Sequence, residues 1–117
     1  MLQFFYVFLG GGIGSLLRYI ISFLFINYKF PLATLFANFV SCLIIGLLLL
    51  SVPNQSLSDN TRLLLLVGFC GGLSTFSTFS YETIYLIKDG FLLYAIINIM
   101  ISLLFCFSIL YFVIKNL

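Results

Sequence analysis

The chain has 117 residues, 63% of them hydrophobic and 7% charged, with no histidine and a formal net charge of +2. A water-soluble domain of this size has too little interior to hide that much apolar surface, so the composition predicts an all-α integral membrane protein. The weak charge leaves no footprint for nucleic acid, and a chain with three acidic residues and no histidine has little material for acid–base or metal-assisted catalysis.

A helix needs about 20 apolar residues to cross a bilayer. Four segments qualify, at residues 2–26, 31–52, 63–87 and 91–114, which makes 1–117 a single four-helix transmembrane domain. The connectors, 27–30, 53–62 and 88–90, are short, so consecutive helices are expected to run antiparallel. The first apolar run lacks a basic leader and outlasts the apolar region of a signal peptide, so it is expected to remain in the protein. Ser58 or Asp59 is placed to cap the third helix, and Gly90 to make the turn before the fourth.

Span one pairs Gly10 with Gly14 and Gly11 with Ser15, each four apart, a spacing that lets helix backbones approach closely. It also carries Arg18, a charge that must face water, find a partner or reach an interface. One reading is a vestibule that draws in anions. In span two, Thr34, Asn38, Ser41 and Cys42 fall on one helical face. The amide of Asn38 has two hydrogens to donate, either to a neighbouring helix or to a passing ligand.

Span three contains GFCGGLSTFSTFS, residues 68–80. Gly71 and Gly72 are poor helix formers followed by Ser74 and Thr75, and they predict a third helix broken mid-span. Irregular backbone at membrane depth is tolerated where it is buried in protein or lines a cavity, and its freed carbonyls can hold a small cation. Beyond the break, Phe76 and Phe79 share a face, with Thr75, Thr78 and Glu82 on or near the next one. Span four spaces Tyr94, Asn98, Ser102 and Cys106 four apart, a polar track on one face. The three cysteines, Cys42, Cys70 and Cys106, read as small packing residues.

With four spans, Arg62 and Lys115 share one side of the membrane and Lys29 and Lys88 the other, while Arg18 lies nearer the Lys29 side. The Lys/Arg excess that normally fixes orientation is therefore nearly absent. One reading is that such a chain inserts both ways up and pairs as an antiparallel, dual-topology dimer; the other is that the weak bias still suffices to fix one orientation.

Two transport chemistries compete. A proton-coupled exporter of the small multidrug type, or one for anions, requires a membrane-buried carboxylate, and the acid nearest to that description, Glu82, lies close to a span end. A small anion instead needs hydrogen-bond donors that replace its water without a deep cationic trap. Asn, Ser and Thr supply such donors, and the electropositive edges of Phe76 and Phe79 add to them.

Three motifs, GGIGSLLRY at 11–19, the pair Ala37-Asn38, and GFCGGLSTFSTF at 68–79, occur in order along the whole chain and resemble the Fluc/CrcB family of fluoride channels. The resemblance implies an antiparallel dual-topology homodimer with two pores, exporting fluoride passively across the bacterial plasma membrane and lowering its cytoplasmic level. Some chains of this kind pair instead with a paralogue as a heterodimer. It further implies a structural Na+ at the dimer centre, held by the backbone carbonyls of Gly71 and Ser74. The family usually has threonine where Ser74 stands, a change of little weight for a main-chain ligand. The fluoride pathway carried over by the resemblance comprises Arg18, Asn38, Phe76 and Phe79, with Thr75 and Thr78 beside them. Asn98 and Ser102 join it by spacing on the fourth helix.

Overall fold

The computed structural model describes residues 1–51 and 57–117. Among these residues every regular element is helical: α1 (Leu2–Leu24), α2 (Leu32–Ser51), α3 (Asp59–Arg62), a π-helical stretch (Leu63–Cys70), α4 (Gly71–Leu73), α5 (Ser77–Lys88) and α6 (Leu92–Lys115). The segments Leu2–Leu24, Leu32–Leu50, Asp59–Lys88 and Leu92–Lys115 are each long and apolar enough to cross a membrane. Large apolar side chains such as Phe4, Phe8, Leu104 and Phe107 point outward, as a lipid-facing surface requires.

The ends are set by local chemistry. The third span starts at Asp59, earlier than residue 63, because its polar first turn is capped: the Ser58 hydroxyl accepts from the amide of Thr61 at 3.2 Å. Gly90 takes φ +88° in the turn before α6, a conformation that glycine adopts without penalty. Lys29 and Asp89 form a 2.9 Å ion pair, which puts the first and last connectors at the same end of the bundle. The end of the second span at residue 52, and residues 53–56 of the next connector, lie outside the described residues.

Glycines dictate the packing of α1 on the third span. A Cβ on Gly14 would sit 2.8 Å from the Leu73 nitrogen, and one on Gly68 would sit 3.0 Å from the Gly10 Cα. A Cβ on Gly72 would meet the Gly11 Cα at 3.1 Å. The two backbones therefore touch directly, as the small-residue spacing in span one predicts.

The opening of the third helix differs from expectation in position and cause. Gly71 keeps right-handed helical angles, φ −64° and ψ −35°, and the chain leaves the helix at Ser74, at φ −79° and ψ 158°. Helical geometry resumes at Ser77. Gly68 and Gly72 serve close packing, and the break belongs to the Ser74–Thr75–Phe76 sequence after them.

Candidate functional site

The break is held open by side-chain chemistry from α2. Asn38 donates from Nδ2 to the Thr75 carbonyl at 3.1 Å and accepts at Oδ1 from the Thr75 amide at 2.7 Å. In an unbroken helix that amide would bond to the carbonyl of Gly71; here it turns to Asn38. The Thr75 hydroxyl in turn accepts from the amide of Thr78 at 3.2 Å, satisfying a donor at the start of α5. On the other side of the break, the Cys70 carbonyl accepts from the Ser74 hydroxyl at 2.8 Å, the Ser74 amide at 3.0 Å and the Ser41 hydroxyl at 2.9 Å. The polar face of α2 thus stabilises the unwound turn from outside.

Beside the break lies a recess of about 230 Å³ between α2, α5 and α6. Asn38 and Cys42 form one wall, Ser74, Thr75, Phe76 and Phe79 a second, and Ser102, Leu103 and Cys106 the third. The Phe76 and Phe79 rings meet with centroids 5.8 Å apart at an interplanar angle of 37°. Phe79 is buried, whereas Phe76 is 76% exposed on a single copy of the chain. Among the described residues, the Ser102 hydroxyl is the buried side-chain polar atom that lacks a hydrogen-bond partner. Such a group normally has one, because burial without it costs about 1–3 kcal/mol. Asn38 also carries a second Nδ2 hydrogen beyond the one given to Thr75. The recess therefore offers neutral donors, two aromatic rings and two thiols.

The remaining residues singled out by the sequence stand outside this lining. Asn98 is fully buried and donates to the Thr83 hydroxyl at 3.0 Å, which donates to the Phe79 carbonyl at 2.7 Å. That relay fixes the register of α5 on α6 and, with it, the position of the Phe79 ring. Arg18 donates from Nε to the Gly72 carbonyl at 3.2 Å, giving a partner to a helix-end carbonyl just before the break. Thr78 is half-buried, with its amide on Thr75.

Sequence reasoning left Thr83 and the role of Ser41 unread; both are hydroxyls whose work shows only when the facing helix is known. A second recess, of about 180 Å³, lies toward the Lys29–Asp89 end, lined by those two residues with Pro31, Tyr81, Glu82, Tyr85 and Leu86. Glu82 accepts a hydrogen bond there from the Thr34 hydroxyl.

A sequence profile described as "CrcB-like protein, Camphor Resistance (CrcB)" matches residues 5–114. The chain belongs to the CrcB family. Its CrcB relatives include a protein of Pyrococcus abyssi (strain GE5 / Orsay), 47% identical over 98 residues, which cover 82% of this chain and 80% of that one. A protein of Serratia proteamaculans (strain 568) is 45% identical over 100 residues, 83% and 79% of the two chains. One of Methanococcus vannielii is 37% identical over 113 residues, 96% and 93% of the two chains. Each of these CrcB relatives is named "Fluoride-specific ion channel FluC".

Proposed function

We propose that this chain is a fluoride-selective channel, a multi-pass protein of the bacterial plasma membrane that lets fluoride leave the cytoplasm down its gradient and so lowers its concentration there. The observation that carries this reading is the unpartnered Ser102 hydroxyl, buried in a recess that also holds Asn38 and the Phe76–Phe79 pair. Fluoride is small and strongly hydrated, and passage requires donors close enough to replace its water. The free Nδ2 hydrogen of Asn38 and the Ser102 hydroxyl supply full hydrogen bonds, and the edges of Phe76 and Phe79 supply weaker positive contacts. Among the described residues no lysine or arginine lines the recess, so the ion binds without being trapped. Thr75 and Thr78 keep the break in shape, Asn98 holds Phe79 in register through Thr83, and Arg18 adds positive charge at the approach. The proton-coupled exporter has less support, because Glu82 lies outside the recess and accepts from Thr34.

The working unit in this proposal is an antiparallel homodimer. Phe76 is open on one copy, and a Cβ on Gly71 would meet nothing within 4 Å, so this face has room for a second chain. The nearly balanced Lys/Arg count lets copies insert in both directions. A clear bias on a paralogous chain would instead favour a heterodimer.

The carbonyls of Gly71 and Ser74 fit a structural Na+ at that junction: they are hard oxygen donors, and that of Gly71 is released when the Thr75 amide turns to Asn38. Bound there, Na+ would supply positive charge between the two copies. This chain contributes the open turn, kept open by Asn38, Ser41 and Thr75.

The test is rescue of a fluoride-sensitive bacterium lacking its own exporter. The wild-type chain restores growth on fluoride, while Asn38→Ala and Phe79→Ala do not. Failure of the well-expressed wild type to restore growth contradicts the reading.

A further inference from the structure

Two of the three cysteines, distant in sequence, converge in the larger recess. Cys42 on α2 and Cys106 on α6 both line it, and both are half-buried. The Cys106 Sγ also lies 3.8 Å from the Asn38 carbonyl, which seats it one helical turn from Cys42 on the same face of α2. We propose that Cys42 and Cys106 form a two-coordinate thiolate site for a soft cation of the Hg2+ type, and that filling it closes the recess.

The donor set selects the ion. Thiolates prefer soft metals, and among the described residues no group of three or more His, Cys, Asp or Glu offers the tetrahedral shell of zinc. A linear ion needs only two sulfurs. Each thiol passes its proton to water as its S–Hg bond forms, so two thiols and Hg2+ give a neutral bis-thiolate and two protons, with no change in oxidation state. A neutral product suits a mostly apolar wall, where a net charge would be expensive. The metal would bridge α2 and α6 beside Asn38 and Ser102, filling the space that a permeating anion needs. Cys70 is also buried but is not part of the lining, and it serves as the internal control.

The closure half of this inference rests on the proposed channel activity; the binding half does not. Purified protein is exposed to Hg2+, washed with a monothiol that strips singly bound mercury, and weighed intact. Wild type and Cys70→Ser retain one mercury atom, while Cys42→Ser and Cys106→Ser retain none. The alanine forms of both positions repeat the comparison if the serine forms fold poorly. In liposomes, with each variant normalised to its own fluoride efflux, Hg2+ stops wild type and Cys70→Ser until a dithiol is added, and leaves both recess variants running. Mercury retained by either recess variant, or by none of the proteins, overturns the site. Mercury retained by wild type with efflux intact overturns the closure. A wild type that retains mercury but never releases fluoride upholds the site and counts against the channel reading instead.

Discussion

Asn38 and Thr75 hold each other through a closed pair of hydrogen bonds, one at 3.1 Å and one at 2.7 Å, that joins the middle of α2 to the break in the third span. One amide side chain thus takes over both main-chain groups of an unwound residue. Asn38→Ala leaves the amide and carbonyl of Thr75 without partners at membrane depth. At about 0.5–1.5 kcal/mol for each bond, the expected loss is roughly 1–3 kcal/mol. Thermal unfolding in detergent checks the stability, and fluoride efflux from liposomes is expected to fall with it. Asn38→Asp keeps an acceptor for the Thr75 amide but removes the donor and sets a negative charge against the Thr75 carbonyl at membrane depth, so it is expected to be no more stable than the alanine form and to conduct no better.

Ser102 separates a binding role from a structural one. Its hydroxyl is buried and forms no bond within the chain, so removing it gives up no internal contact. Ser102→Ala is therefore expected to unfold at the same temperature as wild type or slightly higher, while fluoride efflux falls at least about tenfold, the equivalent of one hydrogen bond worth roughly 1.4 kcal/mol. Equal efflux in the two proteins would remove Ser102 from the pathway.

The glycines divide into two classes with opposite expectations. A Cβ on Gly14 or Gly68 would meet backbone atoms that cannot yield, at 2.8 Å from the Leu73 nitrogen and 3.0 Å from the Gly10 Cα respectively. Alanine at either position separates α1 from the third span and is expected to lower stability by about 1–3 kcal/mol or more. Gly12 and Gly71 have open space, so alanine there leaves the single chain intact. If a second copy covers this face, Gly71→Ala instead weakens assembly, seen as a shift toward monomer by light scattering in detergent. An unchanged dimer would mean that the contact lies elsewhere.

These contrasts show how far the sequence can be read. Four apolar runs separated by short polar connectors are legible as four helices long and apolar enough to cross a membrane, although the third begins at Asp59, in a polar turn that an apolar count leaves out. The Gly10–Gly14 spacing was legible because it describes a contact that a helix surface alone defines. The glycine pair of span three was harder to read. Gly71 and Gly72 are weak helix formers, yet the helix survives them and opens at Ser74, where Asn38 of another helix offers the backbone a better bond. Asn98 looked like one rung of a polar track and instead bonds Thr83, a partner visible only once α5 and α6 are packed. Cys42 and Cys106 read as packing residues because nothing in their separation says that α2 and α6 bring them into one recess.

Orientation gives an independent prediction. Lys29 and Lys88 stand at one end and Arg62 and Lys115 at the other, so the Lys/Arg count hardly distinguishes the two ends. C-terminal reporters specific for each side of the membrane are expected to be active together in one population of cells. Adding two lysines to the C-terminus should drive the chain into one orientation and abolish assembly by the wild-type route, while co-expression with an oppositely biased copy restores it.

The most direct measurement is ion efflux from liposomes holding the purified wild-type protein, with fluoride and chloride electrodes reading the same vesicles and no proton gradient imposed. Fluoride is expected to leave at once and chloride to stay inside. Release of chloride alongside fluoride, or fluoride release only after a proton gradient is applied, would contradict a passive pathway in which Asn38, Ser102 and the Phe76–Phe79 edges replace the water around a small anion.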